Sequence, residues 1–381
     1  MTASAERERA GEDTATDAAT TGASVLVVAD HPNPEKIDRH YGPLADVAGE
    51  TTMVCVDGAE AVEDIAFLEV PTFGYRLLGL PLIFLAALVE ALRGDYDAVV
   101  SISLVPYGTF ALLVGRLTGT PVHLGIIGAD LDSHAAAWYG AVPRALFRRF
   151  DAVSVPGTAH VERLAAAGVD RERIAVLTNT VDAVTYRPPA DDGERDVDFL
   201  WIGRFSDEKR PALFVEALAR LRARGVEYTA LMLGDGDRLD ATRALAAELG
   251  VADAVEFTGW VDDPLAYYHR TRAYVLTSRR EGVPLTLLEA MATGVVPVVP
   301  PVGSVPDVVA DGRNGFVVDR PTPARLADAL EAVLADDERR RKLADAATAV
   351  RETHSYDAAR EDWRRILDIM GAVDGKETRG D

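Results

Sequence analysis

Two glutamates, Glu281 and Glu289, stand eight residues apart in the second half of the chain. Glu281 closes a polar loop that follows the apolar run at residues 273–276. Pro284 then opens a segment that predicts a helix ending at Gly294, because proline is tolerated in a first helical turn and glycine favours a helix end. We therefore expect Glu289 inside this helix and Glu281 just before it. Carboxylates so placed can accept hydrogen bonds from sugar hydroxyls, and the helix N-terminus attracts phosphate.

The segment after this helix predicts a strand and two turns. The β-branched run VVPVVP at residues 295–300 is typical of a buried parallel strand. Turns are predicted at residues 303–307 and 311–315, followed by a strand at residues 316–318. Because open parallel sheets bind ligands at the carboxyl ends of their strands, the segment indicates a site for a ligand that carries phosphate and hydroxyl groups. The glutamate spacing alone is also compatible with a helix-capping acid and a solvated helix acid.

A charged turn follows the strand predicted at residues 197–202. Gly203 allows the backbone to turn tightly after the strand. Arg204 and Lys209 flank the turn, and two cations in this position suit a diphosphate. Taken by itself, the turn is also compatible with a solvated charged loop.

The run EGVPLTLLE at residues 281–289 resembles the E-x7-E signature of retaining glycosyltransferases with the GT-B fold, especially glycosyltransferase family 4. The resemblance continues in GSVPDVV and DGRNGFVV, which are similar to the family's G-G-x-x-E and D-G-x-N-G-x-L-V motifs. The charged turn at residues 203–210 resembles the family's G-R-L-x-x-x-K-G. Two positions depart from the pattern: Ser304 replaces a glycine, and Asp307 replaces a glutamate. The resemblance covers residues 24–370, and it is closer in the second half.

The first half carries looser matches. Gly128-Ala129-Asp130 resembles the family's H-G-x-D loop, which faces the donor sugar, although Ile127 replaces the histidine. Asp130 is thereby assigned to the catalytic site, where it would orient the acceptor or the sugar; the alternative is a loop residue that caps the next helix. The loop at residues 30–34 lacks the Gly-Gly pair that many family members carry on the acceptor side.

Strands and helices alternate along the chain, which predicts two doubly wound parallel sheets. The resemblance implies the GT-B fold, with two Rossmann-like domains and a cleft between them. Ser355 is predicted to cap a last helix with one apolar face. The expected boundaries are a disordered tail at 1–22, an acceptor-side domain at 23–186, a linker at 187–195, a nucleotide-sugar domain at 196–354, a helix crossing back to the first domain at 355–371 and a polar tail at 372–381.

The resemblance also implies the reaction and the roles of residues. A sugar would pass from a nucleoside-diphosphate sugar (a UDP-, GDP- or other donor) to a hydroxyl acceptor with retention of anomeric configuration. Arg204 and Lys209 would stabilise the diphosphate, Glu281 would bind sugar hydroxyls and Glu289 the ribose. Trp260 would stack on the base, or else plug the edge of the domain. The other residues assigned to donor binding are Gly203, Val283, Pro284 and Leu285. We expect no cofactor. No metal is expected either, because no Asp-x-Asp motif stands out and relatives of this fold usually work without a bound metal.

The amino-acid composition limits the kinds of partner that the protein can bind. The chain of 381 residues has a formal net charge of -21 and a sequence pI near 4.8, which argues against nucleic-acid binding. Only four of its 40 basic residues are lysines, a composition that resembles proteins of salt-loving microbes or an ordinary acidic protein. The single cysteine, Cys55, excludes an internal disulfide. Residues 1–22 contain no apolar signal-peptide core, so a cytoplasmic location is expected.

Residues 76–93 form the most apolar stretch, and residues 77–89 carry no charge. The uncharged run is too short to span a bilayer and contains Gly79 and Pro81. It predicts either a buried helix of the first domain or a helix that touches a membrane interface. The second alternative would give peripheral contact with the cytoplasmic membrane face and suit a lipid-linked acceptor, whereas a polysaccharide or another glycan acceptor requires no such contact.

Two other functions are compatible with the same fold. A nucleotide-sugar epimerase or hydrolase would need an acid and a base beside the sugar, and His31 or Asp130 could serve. A catalytically silent nucleotide-sugar-binding protein is the second alternative. The presence of Arg204, Lys209, Glu281 and Glu289 argues against this last function.

Overall fold

The computed structural model describes residues 20–30, 33–56, 62–71, 76–126, 131, 140–190 and 195–372. The chain divides into two compact units by its internal contacts. The first comprises Met1–Ser101, Val105–His123 and Trp363–Asp381, and the second comprises Ile102–Leu104 and Leu124–Asp362. The domain boundaries given above stay predictions.

Seven strands form the first sheet, in the hydrogen-bonded order β3-β2-β1-β4-β5-β6-β7. β1 pairs in parallel with both β2 and β4, and β6 pairs in parallel with β7. The run SVLVV forms β1, and its last four residues are buried, which explains why these four are all apolar rather than alternating with polar residues. The strands are β1 (Ser24–Val28), β2 (Glu50–Val56), β3 (Ala66–Val70), β4 (Ala98–Ile102), β5 (Val122–Gly125), β6 (Ala152–Val155) and β7 (Ile174–Val176).

Six strands form the second sheet, in the order β10-β9-β8-β11-β12-β13, and all five pairings are parallel. The chain winds outward from β8 in one direction and from β11 in the other, so the topological switch point lies between these two strands. Loops at the carboxyl ends of strands that meet at a switch point form ligand sites in open sheets. The strands are β8 (Val197–Ile202), β9 (Ala230–Leu233), β10 (Val255–Gly259), β11 (Thr271–Val275), β12 (Val296–Val299) and β13 (Phe316–Val317).

Helices alternate with the strands in both halves of the chain. The helices of the first half are α1 (Pro34–Val47), α2 (Arg76–Arg93), α3 (Thr109–Thr118), α4 (Ala141–Phe147) and α5 (Thr158–Ala166). Those of the second half are α6 (Pro211–Ala223), α7 (Leu239–Glu248), α8 (Leu265–Arg270), α9 (Leu285–Ala292), α10 (Val305–Val308), α11 (Pro323–Ala335), α12 (Asp337–Ala347), α13 (Val350–Thr353) and α14 (Tyr356–Ile369). The predicted fold class, two Rossmann-like parallel sheets, is confirmed.

Both faces of the second sheet are covered by apolar side chains. Phe199 and Trp201 of β8 belong to the core on one face, and Leu200 belongs to the core on the other. This alternation follows from the two-residue period of a strand. The core containing Phe199 also includes residues of α6 and α11, whereas the core containing Leu200 includes residues of α9. A strand buried on both faces is held firmly, which fixes the position of the loop that follows it.

Local signals explain most helix boundaries. The helix predicted from Pro284 is α9, with Pro284 as its N-cap residue. Ser355 caps α14 as predicted, since its hydroxyl accepts a hydrogen bond from the Ala358 amide at 3.1 Å. The turn predicted at residues 303–307 contains the short helix α10, because Ser304 and Pro306 stand at its N-cap and in its first turn. Among the helices in the described residues, none combines the length and the apolar character that crossing a membrane requires.

Candidate active site

The charged turn after β8 (residues 203–210) meets the loop after β11 at the switch point of the second sheet. This second loop, residues 276–284, contains Glu281 and is called the glutamate loop below. Lys209 Nζ lies 2.6 Å from Glu281 Oε1, and the two side chains are 29% and 10% exposed. The pairing follows from topology, because β8 and β11 are hydrogen-bonded neighbours and both turns leave their carboxyl ends. A partly buried ion pair is less screened by solvent than one at the surface. The structure therefore brings together two of the four residues predicted as catalytic.

Hydrogen bonds fix the backbone of Lys209 to the strand end after β11. The Thr277 hydroxyl donates to the Lys209 carbonyl at 2.6 Å and accepts from Trp201 Nε1 at 2.9 Å. Thr277 and Trp201 are both buried. The Arg279 amide donates to the Glu208 carbonyl at 2.9 Å. The charged turn is thus held by its neighbour, and the sequence patterns of the two segments did not show this coupling.

Close backbone approach at this turn depends on Gly234, in the loop after β9. Gly234 has φ +129°, and a Cβ at this position would overlap the Gly203 carbonyl oxygen. Gly203 itself does not adopt a left-handed φ, and a Cβ there would make only ordinary contacts with Trp201. The need for glycine that was inferred at Gly203 is therefore stronger at Gly234.

Arg204 is exposed, and within the described part of the chain it forms no hydrogen bond or ion pair. Further cations lie nearby that the sequence reasoning did not single out. Burial and, second, the nearby Arg279 guanidinium lower the pKa of Arg210 from its usual value. Arg280, which precedes Glu281, pairs with Glu208 at 2.8 Å. Arg210 donates to the Pro321 carbonyl at 3.3 Å. Arg204, which is exposed on the same turn, is thus available to bind an anion such as a diphosphate.

Glu289 lies inside α9, as predicted, and is buried, with 6% of its surface exposed. Its Oε2 accepts a hydrogen bond from the Tyr268 hydroxyl at 2.9 Å. Burial and the Glu289 carboxylate raise the pKa of Tyr268 well above its usual value, so this hydroxyl stays a donor. A buried carboxylate held by a phenol is in a defined orientation, which suits the recognition of a hydroxyl group.

The start of α9 contains the other residues assigned to donor binding. Val283 is buried, and its carbonyl accepts a hydrogen bond from Asn179 Nδ2 at 3.1 Å. Pro284 and Leu285 are half-buried at the helix N-terminus. The backbone amides of a first helical turn lack partners within the helix, so this end can accept negative charge.

Trp260 follows β10 and is 74% exposed. Its Nε1 donates to Asp262 Oδ1 at 2.8 Å, which fixes one edge of the indole. An exposed aromatic ring that is held by its polar edge has a face free for stacking on a planar ligand. The assignment of Trp260 to a nucleotide base stays a prediction.

Asp130 and His31, the two first-domain residues named for acid-base roles, lie outside the described residues. In the first unit the structure shows a polar pair that the sequence reasoning missed: the Tyr107 hydroxyl donates to Asp30 Oδ2 at 3.1 Å. Asp30 lies two residues after the end of β1, and this position near a strand's carboxyl end was the available signal. Among the residues that the structure describes, no group of three or more His, Cys, Asp or Glu could hold a metal ion.

Two protein families match consecutive segments of the chain. Residues 12–180 match the glycosyl transferase 4-like domain, and residues 185–350 match glycosyl transferases group 1. The two domains together take up most of the chain and correspond to its two sheets. The chain belongs to the glycosyltransferases that combine these two domains on a GT-B fold, consistent with family 4.

Curated relatives are similar over part of their length. The chain is 34% identical over 210 residues to the lipopolysaccharide core biosynthesis glycosyltransferase LpsE of Rhizobium meliloti, covering 52% of this chain and 58% of LpsE. It is 36% identical over 194 residues to the D-inositol 3-phosphate glycosyltransferase of Frankia alni, covering 46% and 48% of the two chains. A lipopolysaccharide 1,6-galactosyltransferase of Salmonella typhimurium is 32% identical over 174 residues, covering 44% and 47%. The chain thus spans about half the length of these relatives.

Solved structures share the fold. The Anabaena protein HepE, crystallised with UDP and glucose, superimposes with a TM-score of 0.74 at 17% identity, over 91% of this chain and 99% of HepE. The lipopolysaccharide outer core galactosyltransferase WaaB superimposes with a TM-score of 0.69 at 19% identity, over 90% and 98%. At these identities the likeness establishes the GT-B architecture.

Proposed function

We propose that this protein transfers a sugar from a nucleoside-diphosphate sugar to a hydroxyl group of a glycan or lipid-linked acceptor. The Lys209–Glu281 pair at the switch point of the second sheet carries the proposal. In this proposal Lys209 would bind phosphate and the adjacent Glu281 would accept hydrogen bonds from sugar hydroxyls. The exposed Arg204 supplies a second cation to the same turn. The named relatives, all glycosyltransferases, support the reaction class.

The chemistry follows from the charges. Breaking the bond between the anomeric carbon and the diphosphate leaves negative charge on the phosphate oxygens. Lys209 has three N–H donors and uses one on Glu281, so it retains capacity for phosphate. Arg204 offers a planar guanidinium that can bind phosphate in a bidentate way. Preorganised charges of this kind stabilise the transition state more than the ground state.

We propose further that the anomeric configuration is retained. The acceptor oxygen would bond to the anomeric carbon on the face that the diphosphate leaves, and its proton would pass to a phosphate oxygen. No side-chain nucleophile is needed in this sequence of events. Proton NMR of the first product from an α-linked donor tests it: an α-linked product is expected, and a β-linked product would contradict retention.

The donor is proposed to be a UDP-sugar, because HepE shares the fold and was crystallised with UDP. Incubation with UDP-glucose, UDP-galactose or GDP-mannose tests the function, with and without a hydroxyl acceptor. Transfer that requires the acceptor is expected. Conversion of the donor without any acceptor would instead indicate the epimerase or hydrolase, and binding without conversion would indicate a silent binding protein.

We also propose peripheral membrane contact through helices α2 and α3. Leu85 and Leu92 of α2 are 54% and 66% exposed, and Leu113 and Leu117 of α3 are 51% and 63% exposed. The two helices pack together, with the rings of Phe84 and Phe110 5.7 Å apart, and both carry exposed leucines. Exposed apolar side chains that form one contiguous patch would mark an interaction site. A lipid-linked acceptor would make this contact useful.

Flotation with liposomes tests the membrane contact. The net charge of -21 opposes binding to anionic lipid, so binding is expected to persist at high salt, where the apolar contribution dominates. Replacing Leu92 and Leu117 by serine should abolish flotation. Leu249, 39% exposed on α7's C-cap, gives the matched Leu249→Ser control, which should still float. Protein that stays in the soluble fraction with and without acceptor lipid would contradict this contact.

A further inference from the structure

Ser304 and Asp307, the two residues that depart from the family's G-G-x-x-E motif, both contact helix α5. Ser304 Oγ lies 2.9 Å from His160 Nδ1. Asp307 accepts two hydrogen bonds from Thr158, one from its amide at 2.7 Å and one from its hydroxyl at 2.5 Å. All four residues belong to the second unit. The turn that begins α10 is therefore fastened to the start of α5 at two points.

The other side of this turn contacts the glutamate loop. The Ser304 amide donates to the Gly282 carbonyl at 3.2 Å. Gly303 has φ +53°, and a Cβ there would overlap the Glu281 carbonyl oxygen. The backbone of residues 303–304 thus lies directly against the peptide that carries Glu281. Any displacement of the turn must move this peptide, and with it the carboxylate that pairs with Lys209.

We propose that His160 is a positioning residue for Glu281, acting through Ser304. His160 and Ser304 are both fully buried, so water cannot replace their hydrogen bond without opening the core. Asp307 and Thr158 are exposed, and their hydrogen bonds compete with water. His160 therefore fixes the turn more strongly than Thr158 does. Precise placement of a ligand-binding carboxylate depends on such supporting contacts.

The inference rests on the proposed function, in which Glu281 binds the sugar of the donor. It predicts a specific defect: loss of the His160–Ser304 hydrogen bond should weaken binding of the nucleotide sugar and spare the free nucleotide. A residue that only stabilises the fold would affect both ligands alike. The ratio of the two dissociation constants therefore separates positioning from stability.

The test uses three variants and calorimetric titration. His160→Leu and Ser304→Ala remove the hydrogen bond. His160→Asn retains it, because the side-chain amide of asparagine reaches the position of the histidine Nδ1. Ligand pairs are UDP with UDP-glucose, UDP with UDP-galactose and GDP with GDP-mannose, and the pair that the wild-type protein binds is used. His123→Leu is the matched control, since His123 is also fully buried but lies in β5 of the first unit.

We expect His160→Leu and Ser304→Ala to bind the nucleotide sugar about 3- to 10-fold more weakly, the effect of about one lost hydrogen bond. Their affinity for the free nucleotide should stay within about twofold of wild type, and His160→Asn should recover most of the loss. His123→Leu should lower thermal stability and leave the ratio of the two dissociation constants unchanged. If His160→Leu does not fold, the affinities of Ser304→Ala alone test the positioning role. This substitution removes a single oxygen atom and so disturbs the packing little.

Parallel losses for both ligands, no loss at all, or failure of His160→Asn to recover binding would each overturn the positioning role while leaving the glycosyltransferase proposal intact. A wild-type protein that binds none of the three ligand pairs would overturn the proposed function and the positioning role with it.

Discussion

At the scale of single residues, the site depends on charges that are held in place before any ligand arrives. Lys209 is half-buried and bonded through its backbone carbonyl to Thr277, which is itself bonded to Trp201. Arg204 extends into solvent from the same turn. Lys209 is therefore held by its contacts, and Arg204 adds a second positive charge on the same turn.

Replacing either cation should impair the reaction. We expect Lys209→Ala or Arg204→Ala to lower kcat about 100-fold, because each removes one preorganised charge from the leaving group. Steady-state kinetics with a saturating donor measures the effect. Lys342→Ala serves as a control, since Lys342 is 73% exposed on α12 and pairs only with Glu338 among the described residues. Wild-type rates in both site variants would contradict the diphosphate assignment.

The two glutamates should differ in what they recognise. Glu289→Gln is expected to weaken the binding of the free nucleotide and of the nucleotide sugar alike, because the proposed partner of Glu289 is the ribose that both ligands contain. Glu281→Gln should weaken the binding of the nucleotide sugar only. The expected loss is about tenfold, as for a hydrogen bond to a charged group. Calorimetric titration of both variants with both ligands checks this, and equal losses throughout would show that the roles are misassigned.

At the scale of elements, the site is built from loops that touch through their backbones. Gly234, after β9, lies against the Gly203 carbonyl, and Gly303, after β12, lies against the Glu281 carbonyl. Strands buried on both faces hold the ends of these loops. The backbone contacts then transmit that rigidity to the side chains that would meet the donor.

Adding a methyl group at Gly234 should displace the turn after β8. Gly234→Ala is expected to destabilise the protein by about 1–2 kcal/mol for the left-handed backbone and by about a further 1–3 kcal/mol for the overlap with Gly203. Gly225→Ala is the matched control: Gly225 also has a left-handed φ of +78°, but a Cβ there meets nothing within 4 Å. Thermal unfolding and nucleotide titration compare the two variants. Equal destabilisation would show that the close approach is unimportant.

At the scale of the whole molecule, buried histidines make stability depend on pH. Complete burial lowers the pKa of His123 to about 3. Its ring lies 5.0 Å from that of Trp363 in an edge-on contact within the first unit. The last helix is thereby packed against β5 by an imidazole that must remain neutral.

The sign of this dependence follows from proton binding. Below a pH of about 6.5 the unfolded chain protonates His123, whereas the folded chain does not until pH approaches about 3. Stability is therefore lost as pH falls through this range, by up to about 1.4 kcal/mol per pH unit. His123→Phe keeps an aromatic ring but removes the proton site, so its stability should fall less between pH 6.5 and 4.5. Urea unfolding of both proteins at several pH values measures the difference, and parallel curves would contradict the assignment.

Much of the fold could be predicted because its signals are local. The buried residues of β1 and β12 are all apolar because both faces of these strands are covered. Proline and serine mark the starts of α9 and α14. Pro284 and Gly294, as the start and end signals of a helix, also placed Glu281 before that helix and Glu289 inside it. The turn that contains Arg204 and Lys209 could be recognised in the sequence. Its distance from the glutamate loop could not be predicted.

The sequence by itself therefore determined the fold class, the order of the strands and helices, and the residue types available to a nucleotide sugar. Tertiary structure alone decided which of these residues meet. Lys209 and Glu281 lie 72 positions apart in the chain, and they pair because β8 and β11 are neighbours in the sheet. Likewise, Ser304 and Asp307 stood out in the sequence only as departures from a motif. Their contacts with His160 and Thr158 are formed over 144 and 149 positions, and no local pattern records them, because such contacts are set by packing between elements rather than by the residues next to them in the chain.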